Sequence, residues 1–155
     1  MSRAPIKLRA EDEEDLAIIA ACLQDALASL AEMSYDRAGR RFALVVKRFL
    51  WEEATTKQGL PTGRGLRARR AGLHFEGVSA VRYRGRDRRQ PTAILELLTV
   101  LCDTRATPNT ISLMFAGGAE IKVEADSLRC YMRDLELPHR TRLRPSHRID
   151  GGRRS

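Results

Sequence analysis

Residues 111–123 read ISLMFAGGAEIKV, and they contain the clearest structural pattern in the chain. Apolar side chains occupy every second position before the two glycines, at Ile111, Leu113 and Phe115, and the alternation resumes after them. A pair of glycines between two alternating runs is typical of a two-residue β-hairpin turn. The sequence therefore predicts two antiparallel strands here, and a sheet in which neighbouring strands follow each other along the chain.

Further strands are predicted upstream of this hairpin. Alternating apolar residues or apolar runs between turn residues indicate them at residues 40–51, 73–76, 78–83 and 92–103. The sequence Asp-Arg-Ala-Gly at residues 36–39 precedes the first of them and has the composition of a turn. Gly77 interrupts the alternation downstream, which predicts a bulge or a tight turn within one bent strand or between two strands.

The run TAILELLTVLCD at residues 92–103 is apolar on both alternating sets of positions. This pattern favours a central strand covered on both faces, although a helix is the alternative. Glu96 interrupts the run and would share a face with Ile94, Leu98 and Val100. Because a buried carboxylate must be paired or protonated, Glu96 predicts a structural salt bridge first and a catalytic or ligand-binding group second.

A helix is predicted near the N-terminus, over residues 12–25. Leu16, Ile19 and Leu23 fall on one helical stripe. Acidic residues before this stripe place negative charge in the first turn, where it complements the helix dipole. The end of the helix is open, because residues 28–35 could equally form the first strand of a hairpin.

A second amphipathic helix is predicted over residues 126–137, where Leu128, Met132 and Leu135 recur at helical spacing before Pro138. The expected fold is therefore α+β: an antiparallel sheet or roll of about six to seven strands, with an N-terminal helix and a closing C-terminal helix. A pleckstrin-homology-like roll has this order of elements. That comparison is an analogy, since element order does not fix topology.

The length of 155 residues fits one globular domain, which we expect over residues 1–138. Residues 139–155 lack core-forming periodicity and predict a flexible basic tail. The three cysteines are odd in number and far apart, which favours reduced thiols over disulfides. Without an apolar run long enough for a membrane span or a secretory signal, we expect a cytoplasmic protein with no membrane partner.

The net charge of +8 is concentrated in two stretches. Residues 61–90 contain 9 basic and 2 acidic residues, and residues 139–155 contain 6 basic and 1 acidic residue. Arginine supplies 24 of the 28 basic side chains, and its planar donors suit phosphate or carboxylate. A basic patch of this kind indicates an acidic protein surface or nucleic acid as the partner.

Eight arginines are the candidate anion- or partner-binding residues, on the hypothesis that two neighbouring stretches pair as strands: Arg64, Arg67, Arg69, Arg70, Arg82, Arg84, Arg86 and Arg88. Alternate positions in the second stretch would project from one face, about 6.6 Å apart, and could meet successive phosphates. Tyr83 could stack on a base if it faced outward. The alternative is that these side chains are hydrated or paired with acidic neighbours.

The sequence carries no signature of an enzyme, a metal site or a cofactor site. It has no phosphate-binding glycine loop, no dinucleotide fingerprint, no HExxH and no CxxC. We therefore assign no catalytic residue, metal ligand or cofactor. An enzyme that combines Glu96, His74 and the arginines is retained as the least favoured alternative.

Four blocks of the sequence resemble an uncharacterised alphaproteobacterial family catalogued as domain of unknown function 2948. In order they are LRAEDEEDLAIIAACLQDA, RRFALVVKRFLWE, LHFEGVSAVRYRG and ISLMFAGGAEIKVEADSLRCYMRDL. The resemblance covers roughly residues 6–137 and implies no activity. It implies a bacterial, cytoplasmic setting.

Three hypotheses about function follow from these observations. The first is a non-enzymatic module that binds an acidic partner through an Arg-rich strand pair. The second is an accessory protein that binds nucleic-acid phosphates through the same arginines and the tail. The third is the enzyme with a site around Glu96. The oligomeric state is left open by the sequence.

Overall fold

The computed structural model describes residues 5–53, 67–85, 90–135 and 139–140. These residues form one α-helix, α1 (Glu13–Cys22), eleven strands and short 3-10 turns. The strands are β1 (Lys7–Ala10), β2 (Leu27–Ala28), β3 (Met33–Asp36), β4 (Arg41–Phe49), β5 (Arg67–Glu76), β6 (Val78–Arg84), β7 (Leu95–Asp103), β8 (Asn109–Phe115), β9 (Glu120–Ala125), β10 (Cys130–Asp134) and β11 (His139–Arg140). The protein is thus an α+β fold dominated by an antiparallel sheet, as the sequence predicts.

The hairpin of residues 111–123 is confirmed. β8 and β9 pair antiparallel, with Leu113 opposite Ile121. Gly117 and Gly118 adopt φ values of 85° and 89°, which side chains other than glycine rarely tolerate. The turn contains three residues, Ala116–Gly118, one more than the predicted Gly-Gly turn, and it is closed by a hydrogen bond from the N–H of Phe115 to the carbonyl of Ala119. The alternation places Ile111 and Leu113 in the core.

The hairpin that precedes β4 is confirmed as well. β3 and β4 pair with Asp36 opposite Arg41, and the carboxylate of Asp36 accepts a hydrogen bond from the backbone N–H of Gly39 at 3.0 Å. This side-chain bond stabilises the turn that the sequence predicts at residues 36–39.

The strands form one continuous antiparallel sheet. Hydrogen-bonded neighbours follow the order β1-β10-β5-β4-β2-β7-β8-β9-β6, with β3 beside β4 and β11 beside β5. β5 continues into β6 through Gly77, which has a φ of 70°. The two strands nevertheless have different partners, since β5 pairs with β4 and β10 while β6 pairs with β9. The last strand of this order, β6, therefore follows directly after β5 along the chain, although the two strands lie far apart in the order of hydrogen-bonded neighbours.

The predicted N-terminal helix is confirmed as α1. The Asp12 side chain caps it by accepting a hydrogen bond from the backbone N–H of Asp15 at 2.8 Å. Leu16, Ile19 and Leu23 are buried in the core, and the helix packs against β7 and β1. The N-terminal helix therefore covers part of the apolar face of the sheet.

The predicted C-terminal helix over residues 126–137 is wrong. Residues 130–134 form β10, between β5 and β1. Leu128, Cys130 and Met132 are buried in strict alternation, and Asp134 continues the same face. The apolar residues of this segment fit both the spacing of a helix and the alternation of a strand. Pairing along the edge of β5 supplies backbone hydrogen bonds that favour the strand.

Two further features of the predicted fold need correction. The described residues form eleven strands, more than the expected six to seven. Because the closing helix is replaced by β10, the element order that motivated the pleckstrin-homology-like analogy is not present.

The strand predicted at residues 92–103 exists as β7, but it is not covered on both faces. Ile94, Leu98 and Leu101 are 63%, 45% and 54% exposed, whereas Leu97 and Val100 are buried. A register shift relative to β8 lies between Leu97 and Thr99, and such a bulge reverses which face later side chains occupy. Val100 is consequently on the opposite face from Leu98.

The boundary between domain and tail stays a prediction. His139 and Arg140, the first two residues of the predicted tail, form β11 against β5. The rest of the tail lies outside the described residues. No helix of the described part of the chain is long and apolar enough to cross a membrane.

Candidate binding groove

Five strands expose one common outer face: β1, β10, β5, β4 and β3. Their register places Arg9, Tyr131, His74, Ala43 and Ser34 in one row across the sheet. A second row contains Lys7, Arg133, Gly72 and Val45. Because the neighbouring positions along each strand face the core, these rows are available to solvent or to a partner.

An open groove of about 950 Å³ lies over this face. Its lining residues are Lys7, Leu8, Arg9, Glu32, Ser34, Ala43, Leu44, Val45, Gly72, Leu73, His74, Tyr131, Met132, Arg133 and Leu135. The volume is at the upper end of the range for small-molecule pockets, and the groove is open rather than enclosed. We refer to it below as the groove.

Small side chains at the centre of the sheet create the groove. Ala43 lies opposite His74 in one row and Val45 lies opposite Gly72 in the next, so Ala43 and Gly72 are diagonal neighbours. A Cβ added at Gly72 would meet Leu135 at 3.8 Å, an ordinary van der Waals distance. Leu135 therefore forms one wall beside an apolar floor made of Gly72, Ala43 and Val45.

Three cations form the rim on the β1 side. Lys7, Arg9 and Arg133 are exposed and line the groove. No acidic side chain of the described residues pairs with any of the three. Glu32, the acidic residue of the groove lining, lies 3.7 Å from Arg70, measured between Oε1 and Nη2. The rim thus carries positive charge that the described part of the chain does not neutralise.

An aromatic pair forms a second wall. The rings of His74 and Tyr131 stack with centroids 4.9 Å apart and an interplanar angle of 19°. Nε2 of His74 is 3.0 Å from Oε2 of Glu76, which also accepts a hydrogen bond from Nε of Arg41 at 2.7 Å. Burial lowers the pKa of His74 below its ordinary value of 6.5, against the opposing effect of Glu76, and Arg41 and Arg133 lower this pKa further.

The arginines predicted on β6 are exposed but paired. Nε of Arg82 lies 3.2 Å from Oε2 of Glu124, and Nη2 of Arg84 lies 2.8 Å from Oε1 of Glu120. Tyr83 packs against the core, so it is not placed to stack on a base. The acidic side chains of β9 therefore partly neutralise the row of arginines that the sequence predicts on β6.

The arginines predicted on β5 have three different environments. Arg67 is half-buried near the end of the strand, and Arg70 is exposed beside Glu32. Arg69 is only 2% exposed, and its Nε lies 3.6 Å from Oδ2 of Asp134. Arg69 is therefore inaccessible to a partner, contrary to the exposed patch that the sequence analysis expected.

Arg69 belongs to a buried ionic cluster that sequence reasoning missed. Arg48 lies opposite it on β4, and both face the core with Asp134 of β10. The pattern contained a signal for all three residues. Arg48 continues the inward alternation of β4, Arg69 continues that of β5, and Asp134 continues that of β10.

The two arginine stretches do not pair as strands. β5 and β6 lie at different positions in the strand order, and Arg70 and Arg82 are separated along the chain by the rest of β5, Gly77 and half of β6. Arg64, Arg86 and Arg88 lie outside the described residues. The Arg-rich strand pair is therefore not present among the residues described.

The components of the alternative enzyme site are also apart. His74 is on β5 and Glu96 is on β7, with β4 and β2 between these strands in the sheet. Among the residues described, no group of three or more His, Cys, Asp or Glu side chains is arranged to hold a metal ion.

Comparison with known proteins gives one match. The sequence model of the family described as "Protein of unknown function (DUF2948)" matches residues 6–147. The chain belongs to this family. No curated protein and no solved structure matches it significantly.

The family match includes every residue that lines the groove, from Lys7 to Leu135. It also extends beyond the predicted domain boundary at residue 138 and includes β11. The groove is thus part of the family domain itself.

Proposed function

We propose that this DUF2948 protein is a non-enzymatic module that binds an acidic partner protein, and that the groove is its binding surface. The proposal rests on one observation: Lys7, Arg9 and Arg133 line an open groove without acidic partners among the described residues. Exposed cations that have no acidic partner in the described part of the chain are available to carboxylates of another molecule, and such complementarity sets specificity and association rate.

The arginines of β6 are weaker candidates for the same role. Arg82 and Arg84 already contact Glu124 and Glu120, so an incoming carboxylate would compete with acids that are held in place by β9. The structure therefore favours the groove over the surface that the sequence analysis proposed.

A charge-reversal experiment tests this function. The double variant Lys7→Glu, Arg9→Glu removes two rim cations, and Lys122→Glu, Arg105→Glu is the matched control, because Lys122 and Arg105 are exposed outside the groove. Proteins captured by each immobilised variant from a bacterial extract are quantified by mass spectrometry, and each captured candidate is purified and titrated by calorimetry. We expect an acidic protein that binds wild type and the control and loses at least about tenfold in affinity for the rim variant, the equivalent of one lost charge pair.

Two results would contradict the proposal. One is a set of purified partners whose affinities are the same for the rim variant and the control. The other is co-purification of polynucleotide with wild-type protein, with an affinity that falls steeply with salt, which would support the nucleic-acid alternative instead.

A further inference from the structure

The groove has a cationic side and an apolar side, and this asymmetry bears on what the partner presents. Lys7 and Arg9 are on β1, whereas Ala43 and Val45 are on β4. Building on the proposed function, we infer that the partner inserts one apolar side chain onto the floor formed by Gly72, Ala43 and Val45. Acidic residues of the same extended segment then pair with the rim cations.

Along β5, the floor offers room for one side chain of a partner. Along β5 it is bounded by His74 and by Arg70, each two residues from Gly72, which is about 6.6 Å on either side. Leu135 is 45% exposed and lies beside Gly72, so it offers an apolar contact to an inserted group. The stacked His74 and Tyr131 rings supply the opposite wall. Burial of one leucine-sized or phenylalanine-sized group satisfies this site.

The distance from floor to rim determines the spacing within the partner. β1 is separated from β5 by β10 alone. Two strand spacings amount to roughly 10 Å, which is about three residues of extended chain. The recognised segment therefore crosses the strands and carries an acidic residue about three positions from its apolar anchor. Arg133, on the intervening β10, contacts a carboxylate nearer to that anchor.

The arrangement of cations favours a peptide over a small anion. Lys7 and Arg9 are two residues apart on β1, with Cα atoms about 6.6 Å apart, so each can pair with a different carboxylate of one peptide. A series of acidic side chains matches such separated charges. Glu32 also lines the groove, and its negative charge would repel a second row of phosphates, which a nucleic acid would bring.

Gly72 provides a variant that fills the floor. Its φ is not in the left-handed region, and an added Cβ has ordinary contacts, so the backbone tolerates a side chain here. Gly72→Leu occupies the floor, and Gly72→Ala leaves most of it open. Ser112→Leu is a matched apolar insertion on β8, outside the groove. Thermal unfolding of each variant verifies that it is folded.

Selection from a random peptide library on the immobilised full chain tests the inference. We expect enriched peptides to contain an apolar residue and an acidic residue about three positions away. In fluorescence anisotropy, Gly72→Leu weakens the binding of such a peptide at least about tenfold, whereas Gly72→Ala and Ser112→Leu change it less than about threefold.

The outcomes separate this inference from the proposed function. One outcome is that the enriched peptides are acidic but share no apolar position, and that Gly72→Leu binds them as wild type does while the rim variant does not. This outcome overturns the inferred apolar anchor and leaves the proposed binding of an acidic partner intact. Two other outcomes overturn both the anchor and the proposed function. One is that acidic residues are not enriched, and the other is that a labelled single-stranded oligonucleotide binds more tightly than any peptide.

Discussion

Arg48 and Asp134 form a bidentate ion pair inside the protein, with Nε of Arg48 2.8 Å from Oδ1 of Asp134 and Nη2 3.1 Å from Oδ2. Neither side chain is exposed to solvent. Oδ2 of Asp134 also accepts a hydrogen bond from the backbone N–H of Ile6, and Glu52 accepts two from Arg48. The pair therefore links β4 and β10 to the start of the chain, at one end of the sheet that carries the groove.

Removal of Asp134 is expected to destabilise the protein strongly. Asp134→Ala leaves the Arg48 guanidinium buried without its main partner, and breaking such a pair costs about 3–5 kcal/mol. The control is Asp103→Ala, because Asp103 lies at the surface, 3.9 Å from Nε of an almost fully exposed Arg105. An exposed pair contributes at most about 1 kcal/mol. Urea unfolding followed by Trp51 fluorescence measures the unfolding free energy of both variants. Equal losses of this free energy would contradict the predicted role of burial.

The same pair predicts a dependence of stability on pH. Burial raises the pKa of Asp134, but hydrogen bonds from Arg48 and from the Ile6 backbone, together with the nearby guanidinium charges, lower it more, so the pKa lies below its ordinary value of 3.8. The stabilisation is therefore complete above about pH 4 and is lost as the pH falls through the lowered pKa. Urea midpoints measured from pH 6 downward should fall more steeply for wild type than for Asp134→Asn. If that variant is unfolded, NMR titration of the wild-type carboxyl carbon measures the pKa directly, and a value above 3.8 would refute the prediction.

His74 is expected to titrate below 6.5. Burial against Tyr131 disfavours the charged ring, while Glu76 opposes this effect. NMR titration of the imidazole carbons measures the pKa, and Glu76→Gln should lower it further, because the favourable carboxylate charge is removed. As the pH falls through this pKa, His74 gains positive charge in the groove and should strengthen the binding of an acidic peptide. His74→Gln should abolish this increase in affinity at low pH. An increase that persists in the variant would show that another group causes it.

Gly77 is expected to disfavour a side chain, mainly because of its backbone conformation. Its φ of 70° is unfavourable for other residues, and an added Cβ would overlap the side-chain ends of Asp126 and Arg129, which are flexible enough to shift. Gly117 shares the positive φ, at 85°, but has open space around its Cβ position. Gly117→Ala should therefore cost about 1–2 kcal/mol of unfolding free energy from backbone strain alone. Gly77→Ala should cost slightly more, because the Asp126 and Arg129 side chains must move apart from their 3.4 Å contact to make room. Denaturant unfolding that ranks the two variants in the opposite order would contradict this prediction.

Local patterns identified the elements that local interactions stabilise. The Gly-Gly turn and its flanking alternation predict β8 and β9, and the acidic first turn with its apolar stripe predicts α1. In each case the deciding contacts lie within a few residues of each other. The membership of the family likewise follows from the sequence blocks, without knowledge of the fold.

The segment 126–137 shows where local patterns are insufficient. Leu128 and Met132 lie on one face at helical spacing and also at strand spacing, so the sequence allows both structures. Pairing with β5 and β1 selects the strand, because it satisfies the backbone along both edges and places Asp134 against Arg48. In β7, the register shift against β8 reversed the face of Val100. Neither effect is encoded by neighbours in the chain.

Patterns in the amino-acid sequence were enough to predict the antiparallel α+β class, the central hairpin, the N-terminal helix and the concentration of arginine in two stretches. Which cations are available to a partner depends instead on how the strands pair. Strand pairing placed Glu120 and Glu124 beside the arginines of β6, and it buried Arg69 against Asp134. The same pairing brought Lys7 and Arg133 from opposite ends of the chain to one rim. Charge along a sequence is a local property, whereas its neutralisation depends on which strands become neighbours in the sheet.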